Sequence, residues 1–313
     1  MGKMAFLFPG QGSQFVGMGK DLFDDYAPAR NIFALASEVA NFDVARLCAE
    51  GPMDRLTLTA NLQPAVTAVN LAFMTRLLDA GVRPDFTAGH SLGEFSALCL
   101  ASVTTVEDTF KLVNRRGELM HRDALAHPGT MAAVIGLTSE QVAQAVASAQ
   151  SAGIVALANL NTAVQTVITG EPAAVSAASQ AAQEMGAKIM TLKVSGAWHS
   201  PLMAEAAKDF EQFMSGITFN APQMSLVLNV TADISDDPKA IKDVMTRQLT
   251  SPVKWYQGIE KMIAAGVDTF VEVGPKNVLT GMMKKILPKD SPATVIQVGD
   301  LAGLNKFLSN YKG

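Results

Sequence analysis

Thr87-Ala88-Gly89-His90-Ser91-Leu92-Gly93-Glu94 is the stretch on which the reading of this chain turns. Gly89-x-Ser91-x-Gly93 has the form of a nucleophile elbow, the sharp strand-to-helix turn that exposes a serine hydroxyl. Glycines two before and two after the serine leave room where strand and helix crowd together. Phe86-Thr87-Ala88 suits the end of a short buried strand, and Leu92, Phe95, Ser96 and Cys99 recur at helical spacing. A helix is therefore predicted to begin just after the serine, with its free N–H groups and positive end beside Ser91, where an oxyanion could form. The same pentapeptide also fits an ordinary glycine-flanked turn, and only the rest of the chain separates the two.

The 313 residues suffice for one large domain and a smaller one. Hydrophobic residues at 49% and charged residues at 17% describe a globular chain rather than a disordered one. A net charge of −4 gives no footing for nucleic acid. Cys48 and Cys99, the two cysteines, lie in apolar helical contexts and read as reduced core thiols of a cytoplasmic protein. No Cys-x-x-Cys or His/Cys cluster suggests a metal. No run of about 18 apolar residues suggests a membrane span. Met4-Ala5-Phe6-Leu7-Phe8 is too short for a signal peptide and stops at Pro9; Met1-Gly2 lacks the Ser or Thr at position six that myristoylation wants, having Phe6.

In chain order, Met4–Phe8 reads as a buried strand ending at Pro9-Gly10-Gln11-Gly12-Ser13-Gln14. The dinucleotide fingerprint fails here, because its third glycine would fall at Phe15. This loop is either a tight turn or a backbone brought close to a reacting group. Helical patterns follow to about residue 80, with Pro64 opening a long apolar one. Gly81-Val82-Arg83-Pro84 breaks the chain before the elbow. Another helix is expected from near Thr105, with Val106, Phe110 and Val113 on one face and Arg115-Arg116 near its end. Together these predict a parallel α/β sheet.

Between about Gly129 and Val194 the pattern changes. Met131–Leu137 reads as a strand, Ser139–Gln150 as a helix, and Ile154–Asn161 and Gln165–Gly170 as strands. Pro172–Met185 follows as an alanine-rich helix and Ala187–Val194 as a strand. This β-α-β-β-α-β order is ferredoxin-like. It reads as an insertion, residues 129–194, in an α/β core made of 1–128 and 195–313. Leu226–Val230, the helix Trp255–Ala265, Thr269–Val273, a helix from Asn277 and Ala293–Val298 rejoin the first sheet.

A base for Ser91 must come from four histidines. His90 is adjacent and would point away. His121, following a helix, and His127, before Pro128, read as solvated. His199 lies in Ser195-Gly196-Ala197-Trp198-His199-Ser200-Pro201, where the chain returns to the core. A lone histidine is more often structural, so the residues alone leave its role open. No carboxylate between Ser91 and His199 sits at an obvious strand end, as a hydrolase acid would. That favours a Ser-His pair oriented by a backbone carbonyl.

The chain resembles the malonyl-CoA:acyl carrier protein transacylases and related acyltransferase domains over nearly its whole length. The likeness rests on Phe8-Pro9-Gly10-Gln11-Gly12-Ser13-Gln14, Gly89-His90-Ser91-Leu92-Gly93-Glu94, Arg116-Gly117 and Gly196-Ala197-Trp198-His199-Ser200. It continues in Arg247-Gln248-Leu249-Thr250-Ser251-Pro252-Val253 and Val271-Glu272-Val273-Gly274-Pro275. It implies a hydrolase-like α/β core with a ferredoxin-like insertion. It implies Ser91 as the nucleophile, His199 as its base, and the Gln248 carbonyl orienting His199. The N–H groups of Gln11 and Leu92 would form the oxyanion hole, and Arg116 would grip the malonyl carboxylate through its planar fork. Without the resemblance, Arg115-Arg116 would read as a solvated helix-end pair.

Two departures stand out. The family often carries Asn-x-Asn-x-Pro-x-Gln where this chain has Asn159-Leu160-Asn161-Thr162-Ala163-Val164-Gln165, a change of loop stiffness more than chemistry. Trp198 stands where phenylalanine is also familiar; its bulk fits unbranched malonyl over methylmalonyl, a preference worth only about 1–3 kcal/mol. The implied activity is ping-pong transfer of malonyl from coenzyme A to the phosphopantetheine thiol of an acyl carrier protein supplied in trans. A monomer with no metal or redox cofactor is expected, serving fatty acid or polyketide synthesis. Lys188, Lys193, Lys276, Lys284 and Lys285 are candidates to meet an acidic carrier. A serine hydrolase or thioesterase, or a non-catalytic acyl-binding subunit, would use the same elbow.

Overall fold

In the computed structural model, which describes residues 2–194 and 196–311, the glycine-rich loop and the elbow leave neighbouring strands at the same end. Met1 and Ser195, the latter at the expected return to the core, lie outside the described residues. Among the described residues the first strands are β1 (Lys3–Phe8), β2 (Phe86–Gly89), β3 (Thr130–Ile135), β4 (Val155–Thr162) and β5 (Gln165–Gly170). They are followed by β6 (Lys188–Thr191), β7 (Ser225–Leu226), β8 (Val267–Val273) and β9 (Thr294–Val298).

One sheet has the order β7-β2-β1-β8-β9, and all its pairings are parallel. β1 lies in the middle, and Ala5 to Phe8 are wholly buried, which is why it reads as an unbroken apolar run rather than an alternating one. Its register against β2 runs from Ala5 opposite Phe86 to Phe8 opposite Gly89. Pro9–Gln14 and the elbow therefore emerge side by side at the carboxyl end of the sheet, where open α/β sheets place their ligands. The second sheet is antiparallel, with order β4-β5-β3-β6 and helices Ser139–Ser148 and Pro172–Glu184 packed on it. Numbered within the unit, that order is 2-3-1-4, the ferredoxin-like arrangement expected from the sequence. The fold class is thus α/β, a parallel sheet beside a separate antiparallel one.

A backbone pair ties the antiparallel sheet to the core. Leu160 N–H donates to the Val253 carbonyl at 2.8 Å, and Val253 N–H donates to the Ala158 carbonyl at 2.8 Å. The edge strand β4 so binds the segment just after Gln248.

Several boundaries differ from expectation. Pro64 does not open its helix, which starts at Thr59 and runs to Asp79. Continuous burial from Leu62 to Met74 outweighs the hydrogen bond that proline forfeits. Arg115 and Arg116 lie in the middle of Val106–Ala126, and His121 is inside that helix rather than after it. The helix runs on because Gly117 lets it pack closely: a Cβ there would lie 3.0 Å from the Thr59 carbonyl. β7 is only Ser225–Leu226 and keeps one residue, Leu226, of the expected Leu226–Val230, because the chain turns away to bring Asn229 to the elbow. β6 ends at Thr191, short of Val194.

The elbow glycines are sterically required. A Cβ on Gly93 would sit 2.0 Å from the Phe8 carbonyl oxygen, against β1 itself. Gly93→Ala is expected to lose about 2–3 kcal/mol of stability, whereas Gly281→Ala, on an open helix face with nothing within 4 Å, should gain about 0.5–1 kcal/mol. Urea unfolding of both variants measures the contrast; equal midpoints would remove the crowding argument.

Candidate active site

Ser91 sits at φ 51°, in the left-handed region that a side chain enters only under constraint. The constraint is visible. Its N–H donates to Asn229 Oδ1 at 2.8 Å, and Asn229 Nδ2 donates to the Gly89 carbonyl at 2.7 Å, bracketing the turn from both sides. The helix Gly93–Leu100 begins two residues on, as the spacing predicted.

Ser91 Oγ lies 2.7 Å from His199 Nε2. His199 Nδ1 faces two carbonyl oxygens, Gln248 at 2.9 Å and Ser251 at 3.1 Å. Two acceptors demand a proton on Nδ1, so Nε2 carries the lone pair and the serine hydroxyl donates to it. Burial, then the nearby Arg116 charge, lowers the His199 pKa from its ordinary 6.5 to about 3, while the two carbonyls oppose the shift. The imidazole is therefore neutral, as a general base must be before reaction. Ser251 was not foreseen from the sequence.

Arg116 is 1% exposed and lies over the Phe95 ring, 5.5 Å from its centroid. Nη2 donates to Ser91 Oγ at 3.2 Å, Nε to Gln248 Oε1 at 3.1 Å and Nη1 to Gln63 Oε1 at 3.0 Å. All three partners are neutral oxygens. Burial lowers its pKa to about 9, with Glu94 pulling the other way, so the guanidinium remains charged near neutrality. Arg115, its neighbour, faces away and pairs with Glu118 at 3.2 Å on the surface.

Glu94 is fully buried. It accepts from Asn229 N–H at 2.7 Å and from Gln248 Nε2 at 2.6 Å. Burial raises its pKa from 4.5 to about 7.

Gln11 and Leu92 border a cavity of about 100 Å³ together with Ser91, Arg116, Trp198 and His199. Among the described residues neither of their backbone N–H groups has an acceptor. The approach of the two segments depends on Gly10, where a Cβ would lie 2.5 Å from the His90 carbonyl. His90 itself turns away: its Nε2 lies 2.9 Å from Asn161 Oδ1, and its ring packs against Trp255. His121 is half-buried and His127 exposed, neither with a contact to Ser91. Lys188, Lys193, Lys276, Lys284 and Lys285 are all exposed. No group of three or more His, Cys, Asp or Glu able to hold a metal occurs among the described residues.

Sequence reading missed Gln63, Glu94, Asn229 and Ser251 as members of this cluster. Glu94 carried a signal, being the last residue of the elbow motif. Ser251 lay within the Arg247–Val253 motif but was given no role there, and Gln63 and Asn229 carried no signal beyond their polarity.

A strained serine bonded to a neutral histidine, beside two free amide donors and a buried guanidinium, defines a site for acyl transfer to and from an oxygen nucleophile. The comparisons agree with that chemistry. The acyl transferase domain family model matches residues 5–306, and the chain belongs to that family. It is 42% identical over 288 residues to the malonyl CoA-acyl carrier protein transacylase of Bacillus subtilis (strain 168), 91% of each chain being covered. Among solved structures, an acyl carrier protein S-malonyltransferase from Vibrio cholerae is 40% identical, with a TM-score of 0.93 over 97% of this chain and 99% of that one. A type II PKS acyl-carrier protein in complex with its malonyl-transacylase gives 37% identity and a TM-score of 0.93, covering 99% and 100%.

The His199 environment makes a titration prediction. The unfolded imidazole takes a proton near 6.5, whereas the folded one resists until about 3. His199 therefore removes stability as pH falls through that window. Nitrogen-15 shifts of His199 should stay those of the neutral Nδ1–H tautomer from pH 8 down to about pH 4; a midpoint near 6.5 would contradict the buried assignment.

Proposed function

We propose that this chain transfers a malonyl group from coenzyme A to the phosphopantetheine thiol of an acyl carrier protein, through a malonyl ester on Ser91. The observation that carries the reading is Arg116: a buried, charged guanidinium held only by neutral oxygens, with Nη2 3.2 Å from the nucleophile Oγ. A desolvated cation without a carboxylate partner suits an anionic acyl group more than a neutral one.

The chemistry follows from the geometry. As Oγ attacks the thioester carbonyl, Nε2 of His199 takes its proton. The Gln248 and Ser251 carbonyls steady the imidazolium through Nδ1–H. The N–H groups of Gln11 and Leu92 receive the oxyanion, each such donor being worth about 10²–10³ in rate. The tetrahedral adduct collapses, the C–S bond breaks, and the imidazolium returns its proton to the departing thiol. Oγ, now an ester oxygen, is a weaker acceptor, which releases Arg116 Nη2 to the malonyl carboxylate. The second half-reaction runs the same steps backwards with the carrier thiol as nucleophile.

No step calls for a metal or a redox cofactor, and a monomer suffices because every group named comes from one chain. The site lies between a core of residues 1–128 and 195–313 and a smaller unit of residues 129–194. We place the enzyme in the cytoplasm, in keeping with the free buried thiols of Cys48 and Cys99. No helix among the described residues is long and apolar enough to cross a membrane. The exposed lysines Lys188, Lys193, Lys276, Lys284 and Lys285 offer positive charge to an acidic carrier in fatty acid or polyketide synthesis.

Malonyl-CoA alone should leave one malonyl group on Ser91, mapped by peptide mass spectrometry and absent from Ser91→Ala. A holo carrier should then remove it faster than water does. Release to water at the same rate with and without carrier would make the protein a hydrolase, and no adduct at all would leave only acyl binding.

Arg116 is expected to set substrate preference. Losing a hydrogen bond to a charged group costs roughly 1.5–3 kcal/mol, so kcat/KM with malonyl-CoA should fall about 10- to 150-fold in Arg116→Ala. Acetyl-CoA, which offers no carboxylate, should be used as well as or better than by the parent. Arg116→Lys should recover only part, since an ammonium keeps the charge but not the fork. Equal losses for both thioesters would assign Arg116 to structure instead.

A further inference from the structure

We infer that Glu94 is a positioning residue for acyl transfer, its buried carboxylate aligning the nucleophile through Asn229 and the base and guanidinium through Gln248. The inference rests on the acyl-serine reading above and adds to it a residue that touches no substrate.

The geometry is specific. Each Glu94 oxygen serves one arm of the site. Oε1 accepts the Asn229 N–H at 2.7 Å, and the Asn229 carboxamide holds Ser91 N–H and the Gly89 carbonyl, which keeps Ser91 at φ 51°. Oε2 accepts Gln248 Nε2 at 2.6 Å. The same Nε2 donates to the Ser91 carbonyl at 3.0 Å, while Gln248 Oε1 accepts from Arg116 Nε and the Gln248 backbone carbonyl accepts from His199 Nδ1.

Both Glu94 oxygens face N–H donors, so this arrangement holds the carboxyl in its ionised form, which can only accept. It therefore decides which end of the Gln248 carboxamide faces it, and leaves the oxygen end for Arg116. A glutamine at position 94 cannot do this. With its oxygen turned to the Asn229 N–H, its NH₂ would oppose Gln248 Nε2, donor against donor. Turning the Gln248 amide over relieves that clash but sets NH₂ against Arg116 Nε and gives up the bond to the Ser91 carbonyl. Either way the elbow and the His199 support lose their common register. A fully buried carboxylate with no ion-pair contact among the described residues is also an unfavourable choice for packing alone, since removing a charge from water costs several kcal/mol.

The test is single-turnover acylation by malonyl-CoA, read by intact mass on the full chain, for the parent, Glu94→Gln and Glu94→Asp, with folding followed by thermal melting. Glu94→Gln should slow acylation at saturating malonyl-CoA about 10- to 100-fold, because misplacement of about 1 Å is enough for such a loss. Its half-saturating concentration should change less than about three-fold, since Gln63 still holds Arg116. Glu94→Asp, which keeps an acceptor-only group, should recover part of the rate. A folded Glu94→Gln that acylates within about two-fold of the parent, or loses only affinity, overturns the inference. If Glu94→Gln does not fold, Glu94→Asp decides in its place: a measurable slowing supports the role and an unchanged rate overturns it. A parent that takes up no malonyl group overturns the acyl-serine reading and this inference together, whereas an acylating parent beside an equally fast variant overturns this inference alone.

Discussion

The 2.7 Å hydrogen bond from Ser91 Oγ to His199 Nε2 joins residues 108 positions apart, and much of the structure exists to hold its two ends. Both residues are in the left-handed region, Ser91 at φ 51° and His199 at φ 60°. Neither conformation is favourable for a residue with a Cβ, and each persists because several hydrogen bonds and packed glycines over-determine it. At Ser91 the surroundings are Asn229 on the backbone and Gly93 against β1. At His199 they are two carbonyls from the segment Gln248–Ser251. The strain is thus stored in a rigid frame, and under the proposed mechanism Ser91 and His199 need no fresh ordering before they react.

Charge is arranged with the same economy. At the site a buried cation and a buried carboxylate are kept apart by neutral amides: Gln248 lies between Arg116 and Glu94, while Gln63 closes the far side of the guanidinium. Direct pairing would satisfy both charges and leave the guanidinium with little to offer a substrate. With a carboxamide interposed, Arg116 keeps its charge, and its nearest polar neighbours can be exchanged for a carboxylate. The same positive charge helps hold His199 neutral, so in the proposed mechanism substrate recognition and base chemistry share one electrostatic source.

The antiparallel sheet contributes position rather than reactive groups. β4 bonds to Val253, two residues beyond the Ser251 carbonyl that His199 faces, and Asn161 on the same strand draws His90 away from Ser91. The segment carrying the two carbonyls is therefore anchored to β4 through both backbone groups of Val253. Met131 and Leu192 reach the cavity beside Ser91 from the same region, so its shape depends on how the smaller sheet sits against the core.

The sequence alone determined the features whose cause is local. Apolar periodicity, glycine at the elbow and the β-α-β-β-α-β order follow from backbone sterics and side-chain spacing, which act over a few residues. The elbow at Ser91 could be singled out the same way, whereas Gln11, Arg116, His199 and Gln248 were marked out by the resemblance of their motifs to a known family. Tertiary structure decided where local rules were overridden or silent. Burial on all sides carried a helix through Pro64, and the pull of Asn229 toward the elbow cut β7 to two residues. Asn229 and Gln248 reach Ser91 across 138 and 157 residues. Such contacts form only when the chain closes on itself, and a hydrogen bond between distant polar side chains leaves no periodicity behind in the sequence.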